Sequence, residues 1–330
     1  MPAFSHADRP DSRAVRPSGG QRFAVIDIAR GAALIAMAIY HFSWDLQFHG
    51  YLDPGTATSG SLKLFARGIA TSFLFLVGYS LVLAVRNGIN TRSFLKRLAQ
   101  LIAAGLAITL VTRVMTPETY VFFGILQHIA VASILGLAFV RAPVTVTLIS
   151  AVMLLVLPFV FRADLFAHPG LLWIGLSTAV PSSSDYVPLL PWFAAVLAGI
   201  ATARLTASRL PILSPKSRAT KSLAWLGRHS LAFYLIHQPV LFGLVAGAAL
   251  IAPPAISQAR IDGFVADCRT GCAQSRDGEF CVRYCDCFLD ELRASDALDT
   301  LFRHPDVLEA SGRIDAIVNQ CSVSSEEPKP

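Results

Sequence analysis

From residue 24 to residue 252 the chain is a succession of apolar runs long enough to cross a bilayer, separated by short polar connections. The bilayer interior holds no water to satisfy backbone N–H and C=O groups, so such runs cross only as helices or as a closed barrel. Their length and continuity select helices. Seven spans are expected, at about 24–44, 64–85, 97–115, 121–140, 143–161, 188–204 and 224–252. The last is long for one crossing, and the GRHS stretch, Gly227 to Ser230, is expected to break it into an interfacial piece and a span starting near Leu231. Leu171 to Val180 is apolar but too short to cross, which suits a re-entrant or interfacial segment. The fold class that follows is all-α: a polytopic transmembrane helical bundle with a small Cys-rich helical domain at its C-terminal end.

Charge divides the chain further. Residues 1–252 hold 20 Lys and Arg against 8 Asp and Glu, whereas residues 253–330 hold 8 against 14. The basic excess falls in alternate connections: Arg9, Arg13, Arg16 and Arg22 before the first span, then Arg86, Arg92, Lys96 and Arg97. Arg141 follows, and then Arg204, Arg209, Lys216, Arg218, Lys221 and Arg228. Connections 46–63 and 163–187 have almost none. This positive-inside pattern explains the net charge of +6 without nucleic acid, and orients the N-terminus to the cytoplasm of a bacterial-type inner membrane. Residues 1–22, polar and rich in Arg, Pro and Ser, are expected to be a disordered cytoplasmic tail ahead of an uncleaved first span. Residues 23–252 then form the membrane domain, and 253–330 an extracytoplasmic domain.

The first span is not purely apolar. Arg30 and His41 are eleven positions apart, which returns a helix to within ~20° of the same face. Asp45 follows His41 at i+4, within reach of the imidazole. Ionisable groups are expensive in lipid, so this row should face the protein interior or a water-filled cavity. Arg30 suits a phosphate-bearing ligand, His41 a general base or acyl carrier, and Asp45 a group that fixes the tautomer of His41. A plain salt bridge from Arg30 to Asp27, three residues earlier, is the alternative for that pair.

Several stretches carry a resemblance. The Arg30-x10-His41 spacing is similar to the first span of membrane acyltransferases of the O-antigen acetylase type. IDIARG (Ile26 to Gly31), FLFLVGYS (Phe73 to Ser80), GILQHIAV (Gly124 to Val131) and PLLPWFAAVLAG (Pro188 to Gly199) resemble the heparan-α-glucosaminide N-acetyltransferase catalytic-domain family. LGRHSLAFYLIHQPV, Leu226 to Val240, recurs in both groups. The resemblance implies acetyl transfer from cytoplasmic acetyl-CoA, as co-substrate, to an amine or hydroxyl of a sugar or glycan across the membrane. Lysosomal members place their proposed active histidine in the loop after the first span, so His49 competes with His41 for that role. The rival class is a transporter or flippase in which Arg30, His41 and Asp45 bind substrate or relay protons. A membrane anchor presenting the C-terminal domain would leave these charges unexplained.

Supporting candidates are Gln127 and His128, which as neighbours on a helix cannot both face one site, and His237 and Gln238, which precede the helix-perturbing Pro239. Arg113 at a span end is expected to snorkel outward. All six cysteines follow residue 267. Their even number and expected outer location favour disulfides, with a zinc site as the rival; no metal is expected. On two antiparallel helices joined by a short turn, Cys272 meets Cys281 as the inner bridge and Cys268 meets Cys285 as the outer one. Cys287 is then left to Cys321.

Overall fold

The computed structural model describes residues 23–86, 88, 90–210, 216–303 and 305–326. The expected N-terminal tail, and residues 211–215 between Arg209 and Lys216 of the basic connection, lie outside the described residues. Among the described residues eight helices make up the membrane part: α1 (Ala24–Phe48), α2 (Gly60–Arg86), α3 (Thr91–Met115), α4 (Ile125–Val140), α5 (Val144–Val160), α6 (Leu189–Thr206), α7 (Arg218–Arg228) and α8 (Ser230–Ile251). Five, namely α1, α2, α3, α6 with the 3-10 turn that follows it, and α8, are long and apolar enough to cross a membrane. The 16 residues of α4 and 17 of α5 are apolar but shorter. Leu106, Leu110 and Val114 of α3 and Ile149, Val152 and Phe159 of α5 are exposed, as befits surfaces whose solvent is lipid.

The last expected span is divided at His229, which separates the short amphipathic α7 from the apolar α8. Leu171 to Val180 forms no long helix. It holds one 3-10 turn, Leu172–Ile174, within an irregular connection.

Contacts group the described residues into two compact units, one containing those up to Ile35 with those of Ile69–Phe233, the other Ala36–Gly68 with those from Tyr234 onward. In the first unit α3 packs on α4, and both α4 and α5 pack on α6. Its fully buried side chains include Leu34, Leu74, Val82, Val196, Leu197 and Ile200. Two crossings are so close that they are made by backbone. A Cβ on Gly78 of α2 would strike the carbonyl of Val196 on α6, and one on Gly199 of α6 would strike the carbonyl of Phe75 on α2. The same reciprocity joins α1 and α7: Gly31 lies against the carbonyl of Leu223, and Gly227 against that of Asp27. Small residues at such crossings let helices approach to backbone contact, which compensates for the weak hydrophobic drive between helices in lipid.

In the second unit the turn after α1 folds back on the helix. The backbone N–H of Ala57 donates to Gln47 Oε1 at 2.7 Å, and Tyr40 Oη donates to the Ala57 carbonyl at 3.3 Å. Gly50 adopts a φ of +86°, and a Cβ there would collide with the guanidinium of Arg260. Tyr51 Oη donates to the carbonyl of Ala252 at 2.7 Å. The C-terminal helices are α9 (Gln258–Cys272), α10 (Gly278–Ala294), α11 (Leu298–Arg303), α12 (Pro305–Ala310) and α13 (Arg313–Glu326). Disulfides Cys268–Cys285 and Cys272–Cys281 clamp α9 to α10, and Cys287–Cys321 ties α10 to α13. These are the pairs expected from the hairpin geometry. Asp277 caps α10 by accepting from the N–H of Phe280 at 2.9 Å, and Cys281, Cys285, Phe288 and Leu292 form its buried stripe. Phe288 and Leu292 join Ala297, Leu308, Ile317 and Cys321 in a small core.

Because the α2–α6 crossing leaves no room for a methyl group, Gly78→Ala should destabilise the protein by about 1–3 kcal/mol through overpacking. Gly243→Ala on α8, where a Cβ meets open space, is the matched comparison. Thermal unfolding in detergent should show a lowered midpoint for the first variant only.

Candidate active site

The polar residues of α1 build two clusters, one in each unit. Arg30, with only 18% of its side chain exposed, reaches three partners. Its Nη2 donates to Ser80 Oγ on α2 at 2.9 Å, while Nη1 points to Asp27 Oδ1 and to the carbonyl of Gly227, both at 3.4 Å. The Asp27 salt bridge therefore exists, but it is the longer contact; the well-formed bond goes to Ser80. Gly227 supplies its carbonyl because the α1–α7 crossing brings that backbone within reach. Ser80 also lines a cavity of about 40 Å³ with Val77, Leu101, Arg97 and Ser133. Arg97, counted from sequence among the loop cations, thus belongs to α3 and lines the same space as the serine that holds Arg30.

The second cluster surrounds His41. Its ring meets that of His237 on α8 edge-on, with centroids 5.0 Å apart and planes inclined at 65°. Asp45 is fully buried, and its Oδ1 accepts from Gln238 Nε2 at 2.7 Å. The expected bond from Asp45 to His41 is not formed among the described residues. The carboxylate is instead held by the amide next to His237, while its Oδ2 is buried with no hydrogen-bond partner among the described residues. Four polar side chains thus arrive as two pairs, each linking α1 to α8. His49 stands apart, packed against Phe48 and Phe242 with centroids 5.3 and 4.8 Å away.

Gln127 and His128 take other parts. Gln127 Nε2 donates to the Gly105 carbonyl and to Thr109 Oγ1 of α3, and its Oε1 accepts from the N–H of Gly124. Its amide is spent on joining α3 to α4. His128, fully buried, places Nδ1 3.1 Å from the Val187 carbonyl, while Nε2 has no hydrogen-bond partner among the described residues. Arg113 lies over the Tyr120 ring and donates to the Pro117 carbonyl. In the same unit Asp185 receives the N–H of Ile125 at 3.1 Å, closing the start of α4. It is the lone carboxylate between Asp164 and Asp262 in the sequence.

The family model described as heparan-alpha-glucosaminide N-acetyltransferase, catalytic, matches residues 22–239. The chain belongs to this family. No curated protein and no solved structure gives a significant match. The matched region contains both glycine crossings, the Arg30 cluster and all four residues of the His41 cluster, and it stops short of the disulfides. Among the classes weighed from sequence, membership supports a multi-pass membrane acetyltransferase.

Two outcomes follow. Gln238→Leu would leave both oxygens of a buried carboxylate unpaired and should lower turnover about tenfold or more, since hydrogen bonds to charged groups are the costly ones to lose. Acetyl transfer at constant membrane level checks this, and unchanged turnover would mean that the orientation of Asp45 is immaterial. Burial pushes the Asp185 carboxyl up to about 6, against the pull of the Ile125 N–H. A raised folded value favours the protonated form, so this contribution to stability is complete below the unfolded value of about 4 and is lost as pH rises through 6. Asp185→Asn keeps the acceptor but cannot ionise. The thermal midpoint of wild type minus that of the variant should therefore decrease between pH 4 and pH 7.

Proposed function

We propose that the protein transfers an acetyl group from cytoplasmic acetyl-CoA to an amine or hydroxyl of an extracytoplasmic sugar or glycan. The observation that carries this reading is the paired arrangement of His41 with His237 and of Asp45 with Gln238, inside the region that matches the acetyltransferase family. The proposal includes an inner-membrane location with the N-terminus in the cytoplasm, and residues 253–330 as a separate domain outside, supported by the distribution of Lys and Arg and by three disulfides.

In this reading the two clusters divide the work. Arg30, with Ser80 and Arg97 nearby, meets a phosphate of the donor. Guanidinium forks suit phosphate oxygens, and Ser80 holds that of Arg30 in place. His41 acts on the acyl group. As a base it takes the proton from the acceptor N–H or O–H while the acceptor forms a bond to the thioester carbonyl carbon. The C–S bond then breaks, and the proton goes to the departing thiolate. As an acyl carrier, His41 bonds to the carbonyl carbon first while the C–S bond breaks and the thiolate leaves; the acceptor then bonds to that carbon, the C–N bond to His41 breaks, and the acceptor's proton goes to the thiolate. In both routes this reading gives Asp45, one turn along α1 from His41 and held by Gln238, the part of favouring an imidazolium.

Labelled acetyl-CoA supplied to one face of sealed vesicles should yield labelled glycan at the other. His41→Ala should lower that transfer by about a hundredfold or more without changing membrane level. Arg30→Lys keeps the charge but loses the fork, and should raise the donor Michaelis constant roughly tenfold with a smaller effect on turnover. Normal transfer by the first variant would remove His41 from the chemistry. An unchanged donor dependence in the second would return Arg30 to a structural bridge with Asp27.

A further inference from the structure

The α7 helix has two faces of opposite character. One is committed inward: Ala224 and Gly227 are buried, and Gly227 sits in backbone contact with Asp27 of α1. The other carries Arg218, Lys221, Ser222, Trp225, Arg228 and His229, all exposed and recurring every three or four residues. Trp225, 56% exposed, lays its ring over that of His229, with centroids 4.5 Å apart. No carboxylate occurs between Asp185 and Asp262, so no acidic side chain in this stretch of chain offsets those cations. The apolar α8 begins at Ser230, two positions after Arg228, which sets the row at the level where a membrane span meets water.

We propose that this outward face of α7 is a seat for anionic phospholipid headgroups. The three cations supply the charge, and the exposed indole supplies the apolar contact that a headgroup above acyl chains satisfies and a free phosphate does not. Lipid, rather than the soluble donor, is the occupant because the cations stand on one outward helix face together with that tryptophan. The inference stands independently of the transferase reading.

Brominated lipids, which quench tryptophan fluorescence on contact, test it on the full-length protein in nanodiscs. At equal mole fraction, brominated phosphatidylglycerol should quench Trp225 more than brominated phosphatidylcholine. Trp225→Phe identifies that residue's share of the signal among the four tryptophans. The preference should be roughly fivefold for each cation engaged and should weaken in high salt. Arg218→Gln, Lys221→Gln and Arg228→Gln combined should abolish it, while Arg218→Lys with Arg228→Lys should retain it. Equal quenching by the two lipids in the wild type would overturn the proposal. So would a preference that survives in the triple glutamine variant, or quenching relieved by added coenzyme A.

Discussion

Helix against helix at backbone distance is the contact on which the first unit rests. Lipid gives apolar side chains no reason to leave it, so helices hold together through close packing and polar bonds instead. At Gly78 and Gly199, and again at Gly31 and Gly227, each helix places a glycine against a carbonyl of its partner. The second pair has a chemical consequence. It brings the Gly227 carbonyl to Arg30, so the neighbourhood of the buried guanidinium is set by a crossing that contains no functional group.

The helical architecture was legible because spanning length and lipid solvation are properties of contiguous sequence. The break at GRHS could be read from a stretch too long for one crossing, and the disulfide pairs from cysteines one turn apart on facing helices. The sequence motifs of the family also contain the four crossing glycines, although a glycine in a motif does not reveal its partner. What sequence could not supply was the choice among acceptors. An i+4 spacing places Asp45 within reach of His41, but a neighbouring helix offers Gln238, and the carboxylate takes the amide. Ser80 closes one of the family's motifs and Arg97 counts among the basic residues, but the part each plays lies in meeting across helices, which local sequence does not mark.

The polar residues inside the membrane helices separate into two kinds. Gln127 satisfies several backbone and hydroxyl groups at once and leaves nothing over, as a residue used for assembly should. Asp45 and His128 each keep a buried polar atom unspent. An unsatisfied buried group is costly, and such costs are tolerated where the group has work to do. Asp45 shares its helix and its immediate surroundings with His41, whereas His128 is tied to the chain around Val187.

The turn at Gly50 bears on modularity. The family match stops at residue 239, and the disulfide-bonded helices come after it, as an appendage would. Yet the space left by the missing side chain of Gly50, inside the matched region, is filled by the guanidinium of Arg260 from the appended part. The boundary drawn by ancestry and the boundary drawn by packing therefore fall at different places. A chimera that exchanges the C-terminal helices for those of a relative would have to carry the residue at position 50 with them, because the turn and the appendage now share one socket.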